Sequence, residues 1–382
     1  MEQEKENIME FSYELYKESV EPLIKYKGLR SLHLINGHPP FVRNSDGDFA
    51  PLSLEMEDDA GHTHEFHFKD ISAKWFYGFL SLMLMEYFGL ESDDAKALAN
   101  EYMTGKRTQQ IFHLDSGTLI YLRMDAGFTG SGAVLTAVPV FEPSPCIPQE
   151  AVSAVSDLPG LVLLTGCAGS GRAFTMYTLL LELLKKKPKK VSIVEEVPRY
   201  NIDFVKDSLV MRRIAFDREA TYIAELSRAM TTDVDVICLD DVSDPMTLDE
   251  ALKACAAGKT VFGMIGASSI SEALDSVFYR CEPERREMLR YQLSTMLKAI
   301  IFQQKIPALD SSMVSAYEIV GNAGILAASY EFGKTDAHGY VSLHQESCLP
   351  FNASLARLKE AGVVSEETCA AYSIPEKTKG DE

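Results

Sequence analysis

The sequence predicts an α/β chain in two parts, a larger domain built on a parallel β-sheet preceded by a smaller α+β domain. Three observations carry this reading. Apolar runs at 161–164, 191–194, 236–239 and 261–265 alternate with helical patterns. Continuous apolar strands separated by helices mark a parallel sheet covered on both faces. A passage carrying Pro139, Pro143, Pro145 and Pro148 follows the alternating apolar run 133–138 and precedes the strand at Leu161, which places an interdomain linker there. The chain's 382 residues also exceed what one hydrophobic core usually supports. The expected boundaries are 1–140 for the first domain, 141–156 for the linker, 157–374 for the second domain and 375–382 for a polar, disordered tail.

In the first domain, strand-like runs at 31–34, 41–43 and 117–123 surround one helical segment, 72–88. The single tryptophan, Trp75, lies in the apolar stripe of that segment and is expected in the core. In the second domain, the helix after Gly171 carries Phe174, Met176, Tyr177, Leu179, Leu180, Leu181, Leu183 and Leu184 nearly all round, so it is expected to be buried. Lys185, Lys186, Lys187, Lys189 and Lys190 then suit the negative end of its dipole as a solvated cap.

Composition excludes several classes. Hydrophobic residues are 46% and charged residues 24%, a globular balance. Lys plus Arg total 37 against 56 Asp plus Glu, giving a formal charge of −19 that repels nucleic acid. The acidic start is not expected to be a signal peptide. The most apolar stretch, 79–88, is broken by Glu86 and is too short to cross a bilayer. Seven cysteines with no C-x-x-C pair fit a reduced cytoplasm, without a disulfide framework or zinc site. His62, His64 and His67 on one strand could gather a metal, but a polar edge strand is the preferred reading.

The chemistry concentrates in one loop. Strand 161–165 runs into Gly166-Cys167-Ala168-Gly169-Ser170-Gly171-Arg172-Ala173 and then, from Phe174, into a helix, the architecture of a Walker A phosphate loop. That motif normally ends in Lys, whose ammonium reaches the phosphates, and Ser or Thr, whose hydroxyl binds Mg²⁺. Arg172 keeps the charge as a broad planar fork, and Ala173 offers no oxygen. Thr175 lies on another helix face. A glycine-rich turn that binds nothing is the plainer alternative. Phosphate binding is the reading adopted, with ATP as ligand and weak or absent dependence on Mg²⁺.

From this loop outward the chain resembles the type II and type IV secretion ATPases, specifically the type IV pilus retraction ATPases, over nearly its whole length. In the first domain Ser31-Leu32-His33-Leu34 with Gly37, Pro39, Pro40 and Arg43 resembles the family's S-D-L-H-L…G…P-P…R signature. In the second, Leu158-Pro159-Gly160-Leu161-Val162 resembles L-P-x-G-L-V, and Glu195-Glu196 resembles the start of its acidic box. Residues 233–244 stand in the place of the Walker B region, and 256–263 resemble A-x-T-G-H-L-V-F-G. The resemblance implies a RecA-like P-loop domain behind a PAS-like domain, with His33 as scaffold. It also implies assembly as a hexamer, or with a paralogous ATPase in a mixed ring, acting on an inner-membrane pilus or secretion platform.

The departures bear on activity. Asp240-Asp241 replaces the family's Gly-Glu pair, putting Asp241 at the general-base position with a carboxylate one methylene shorter. Glu195 is the second candidate catalytic residue and Asp240 the candidate metal ligand. Gly266 occupies the family's histidine position. Ser227 and Thr231 occupy two arginine positions, with Arg228 displaced by one residue, about 100° around a helix. Phe128 stands where the family's neighbouring-domain arginine would be, and 323–330 replaces its A-I-R-N-L-I-R-E segment. These losses imply a pseudo-ATPase. The alternatives are a slow but genuine motor and an adaptor that binds no nucleotide.

Overall fold

A computed structural model describes residues 7–25, 28–44, 47–57, 62–114, 117–127, 130–143, 147–155, 159–202, 207–214, 220–330, 337–344 and 348–374. The chain forms two compact units, Met1–Phe141 with Val197–Ile202, and Glu142–Glu196 with Asp203–Glu382. The proline-rich passage thus straddles the first crossing. The stretch expected as a linker carries a helix, Gln149–Ala154, that belongs to the second unit. Pro145, Leu158 and the tail 375–382 lie outside the described residues.

The first unit holds β1 (Asn7–Met9), β2 (Leu29–Ile35), β3 (Phe41–Asn44), β4 (Phe49–Pro51), β5 (Ser53–Glu57), β6 (Thr63–Phe68), β7 (Gln109–His113), β8 (Leu119–Gly127) and β9 (Gly130–Val138). They form a six-stranded sheet, β4-β3-β2-β9-β8-β7, and a three-stranded sheet, β1-β6-β5. The helix Ala73–Phe88 starts where the Ser72 hydroxyl accepts from the Trp75 amide at 3.1 Å and stops at Gly89, whose φ of 61° suits glycine. It buries Phe76, Phe79, Leu80, Met83 and Leu84 in one core with Leu32, Leu34 and Leu135. Trp75 is half-buried, its indole donating to the Phe11 carbonyl at 2.5 Å.

Two expectations change here. A second helix, Ser92–Met103, escaped the sequence reading because its buried face consists of Ala95, Ala99 and Tyr102, too little apolar bulk to give a strong period. The histidine-bearing strand is not an edge strand: β6 lies in the middle of its sheet, parallel to β1 and antiparallel to β5. His62, His64 and His67 are exposed, and among the described residues no three His, Cys, Asp or Glu side chains gather to hold a metal. His33 is scaffold, its ring 3.0 Å from the Ser31 hydroxyl and edge-on to Phe49.

The second unit carries β10 (Gly160–Gly166), β11 (Lys190–Glu195), β12 (Leu209–Ile214), β13 (Val236–Leu239), β14 (Thr260–Gly266), β15 (Leu297–Pro307), β16 (Met313–Gly321) and β17 (Cys348–Leu349). They form one eight-stranded sheet, β12-β11-β13-β14-β10-β15-β16-β17. Pairing is parallel from β12 through β15, and β16 and β17 are antiparallel. This is the RecA-like ATPase fold. The four predicted strands are its centre. β15 escaped prediction because it follows the helix Arg286–Met296 without a turn residue.

The segment 323–330, in place of the family's arginine-bearing stretch, forms the helix Gly324–Ala328. It packs so closely that a Cβ on Gly324 would lie 2.3 Å from the Ser294 carbonyl oxygen. The Tyr330 ring then stacks on Phe278 at 4.0 Å and its hydroxyl donates to Asp275 at 2.6 Å. Tyr330→Ala should therefore cost about 3–5 kcal/mol of stability in denaturant unfolding, and a loss under ~1 kcal/mol would show that this packing does not anchor the segment.

Candidate nucleotide site

In an open parallel sheet, ligands bind beyond the carboxyl ends of the strands. Here β10 ends at Gly166, in register with Gly266 at the end of β14. The chain curls through Cys167 to Gly171 and enters the helix Arg172–Lys186. Two glycines make the curl possible. At Gly166, with φ of 150°, a Cβ would lie 2.4 Å from the Gln303 carbonyl oxygen. At Gly171, with φ of 93°, it would lie 2.8 Å from the Gln303 amide nitrogen. Cys167, Ala168 and Gly169 form the exposed crest of the loop.

The loop is fastened from below by Gln303 on β15, which is 2% exposed. Its amide nitrogen donates to the Ser170 carbonyl at 2.6 Å and lies 3.1 Å from the Ser315 hydroxyl. Its carbonyl accepts from the Thr175 hydroxyl at 2.6 Å. Thr175 is fully buried, and its hydroxyl is committed to this link. Ser170 is 5% exposed, and its own hydroxyl has no hydrogen-bond partner among the described residues. No side chain caps the helix at Gly171. A glycine curl, a buried hydroxyl of this kind and a helix start together fit a phosphate.

The charged candidates divide. Arg172 is half-buried, and its Nη1 lies 3.8 Å from where a Cβ on Gly266 would be, so its guanidinium extends toward the end of β14. Ala173 presents only a methyl and is 9% exposed, and Phe174 is half-buried behind it. Asp240 and Asp241 follow β13, two strands from β10. Asp240 accepts from the Glu196 amide at 3.0 Å, tying the ends of β11 and β13 together. Asp241 accepts from the amide and hydroxyl of Ser243 at 2.9 and 2.6 Å, a turn closed on itself.

Glu195, expected as a catalytic carboxylate, stands instead at the end of β11 with 1% exposure, in an ion pair with Arg212 of β12. The buried Tyr177 hydroxyl donates to it at 3.1 Å. Burial, and then the Glu195 charge, hold the Tyr177 phenol well above its ordinary range, so it remains a donor. A base must reach the attacking water, whereas Glu195 is a buried, ion-paired carboxylate. Ser227, Arg228 and Thr231 are exposed on the helix Ala220–Thr231, with Arg228 paired to Glu225 at 2.5 Å as a surface arginine. Phe128 lies outside the described residues.

The structure places Gly166 through Phe174 on one strand-to-helix loop, and the sequence reading did not include Gln303, Lys305 or Arg212. The only signal for the first two was a polar interruption, Gln303-Gln304-Lys305, at the end of an apolar run. Ala173 has no oxygen to offer a metal, the Thr175 hydroxyl is bonded to Gln303, and Asp240 accepts from the Glu196 amide.

A family model described as Type II/IV secretion system protein matches residues 147–364, so the chain belongs to that family of secretion ATPases. Within it, the chain is similar to the type IV pilus retraction ATPase PilT of Pseudomonas aeruginosa, 32% identical over 309 residues, which cover 77% of this chain and 79% of that one. It is 28% identical to a twitching motility protein of Neisseria gonorrhoeae over 214 residues, 54% of this chain and 56% of that protein. Among solved structures, the ATPase DotB of Legionella pneumophila superposes with a TM-score of 0.73 at 14% identity, covering 96% of this chain and 98% of that one. The pilus retraction motor PilT with bound ADP superposes with a TM-score of 0.69 at 21% identity over the same shares.

Gln303→Leu leaves the Ser170 carbonyl and the Thr175 hydroxyl unpaired in the core, at about 1–3 kcal/mol each. Unfolding should show a loss of about 2–6 kcal/mol, whereas Asp241→Asn, at a half-exposed turn, should change stability by less than ~1 kcal/mol. Equal effects of the two substitutions would contradict the assignment of Gln303 as the fastening residue.

Proposed function

We propose that this chain is a pseudo-ATPase of the pilus retraction and secretion motor family, one that binds the phosphates of ATP with little or no help from Mg²⁺ and hydrolyses it far more slowly than an active relative. The observation that carries the reading is the Ala173 methyl beside a Thr175 hydroxyl already bonded to Gln303. The loop keeps its anion cradle while the oxygen that would hold a metal is gone. Backbone groups of residues 166–174 bind the phosphates, and Arg172 neutralises charge. Asp241 is the remaining carboxylate for orienting water, and its bonds to Ser243 turn it into the loop that follows β13. Asp240, the candidate metal ligand, serves instead as a tie to Glu196.

Supported by the family membership, the chain acts in a ring, as a hexamer or with a paralogous ATPase, and transmits motion to an inner-membrane pilus or secretion platform. Among the described residues no helix is long and apolar enough to cross a membrane. A slower but genuine motor is the second reading, favoured by the Arg172 guanidinium directed at the histidine position.

The test is a graded repair. Arg172→Lys with Ala173→Ser should tighten Mg²⁺-ATP binding while leaving turnover low, because arginine fingers contribute about 10³- to 10⁵-fold in NTPases and neither Ser227 nor Thr231 supplies that charge. Adding Ser227→Arg, Thr231→Arg and Asp241→Glu should raise phosphate release further. Vigorous hydrolysis from the two loop changes alone would place the deficit in the loop and overturn this account of the missing base and arginines.

A further inference from the structure

We propose that Lys305 is a second phosphate-binding cation of this site, on the opposite flank of the loop from Arg172. This rests on the nucleotide-binding reading above and names a residue that the loop motif does not contain.

β15 pairs with β10 up to Thr165 and Phe302, and then runs on past the end of its neighbour. Lys305 is three residues beyond that last pair, roughly 10 Å further along a strand that rises about 3.3 Å per residue. That distance carries it to the level of the loop. Side chains two apart share a strand face, and Gln303 has already fixed which face this is, because its amide reaches the Ser170 carbonyl at 2.6 Å. Lys305 follows on the same side. Its Cε lies 3.5 Å from where a Cβ on Gly171 would be, so its stem rests against the start of the loop helix.

The ammonium is available to a ligand. Nζ makes a long 3.4 Å contact with the Met313 carbonyl at the surface, and a flexible four-carbon stem can exchange such a contact for a phosphate. Arg172 extends the other way, toward Gly266 at the end of β14. The loop is thus flanked by one cation from its own helix on the β14 side and one from β15 on the other. The Ser170 hydroxyl, buried with no hydrogen-bond partner among the described residues, lies over Gly166 inside the curl between them. In a chain of formal charge −19, local cations are what a polyphosphate requires. The ligand class is a nucleoside di- or triphosphate.

The experiment uses the full-length protein and ADP, ATP and adenosine as probes, titrated by calorimetry in EDTA at two salt concentrations. Lys305→Met should weaken ADP and ATP binding about tenfold and flatten its salt dependence, and should leave adenosine binding unchanged. Lys305→Arg should retain most of the affinity, which separates lost charge from lost folding. Thermal unfolding of each variant supplies a second control. Tight ADP binding by the parent that Lys305→Met leaves untouched would overturn the role of Lys305 alone. A parent that binds none of the probes would overturn the nucleotide reading and this proposal with it.

Discussion

One buried amide organises the second unit's functional edge. Gln303 holds the loop by the Ser170 carbonyl and the helix by the Thr175 hydroxyl, from a strand that neighbours both. Because its backbone and side chain crowd Gly166 and Gly171, neither position accepts a Cβ, and the loop has a single way to curl. A buried polar side chain is stable only when its groups are matched, and this one is matched to the parts of the loop that must not move. The position of Arg172, the exposure of the crest at Cys167 to Gly169 and the direction of the helix start all follow from that attachment.

The same economy of partners explains the acidic side of the site. A carboxylate placed to activate water must be left facing solvent and substrate, with its oxygens not already taken by the fold. Asp240 bridges two strand ends through Oδ2, Asp241 is the half-exposed one of the three and closes a turn through Oδ1, and Glu195 is buried against Arg212 and Tyr177. Removing one partner of a buried ion pair typically costs 3–5 kcal/mol, so Glu195 and Arg212 are bound to the stability of the β11–β12 edge. On the proposed reading, carboxylates that stand at motor positions in the sequence have become parts of the scaffold, and the sheet, the glycine curl and the assembly surfaces are what the chain retains.

Much of this was legible in the residues. Strands with unbroken apolar runs, such as 161–164 and 236–239, announce themselves because both faces are buried. The loop was legible because glycines at fixed spacing between a strand and a helix have few other uses. Three kinds of feature were not. The helix Ser92–Met103 buries small side chains and has little apolar contrast. The central place of β6 depends on β1, a three-residue strand whose partners lie 59 residues on in the chain, and a polar strand looks the same from sequence at an edge or in the middle. Gln303 lies 133 residues from Ser170, so no local pattern joins them. Whether Glu195 faces a ligand or a buried arginine is likewise decided by Arg212 on the neighbouring strand.

The central claim is that the phosphate cradle survives while the metal-binding hydroxyl is gone and the one carboxylate left to orient water, Asp241, is turned into a loop. It is tested most directly by measuring ATP affinity with Mg²⁺ and with EDTA, beside phosphate release by the same preparation. The account predicts affinities within about threefold of one another and phosphate release near the limit of detection. Binding that collapses in EDTA, together with sustained Mg²⁺-dependent release of phosphate, would contradict it.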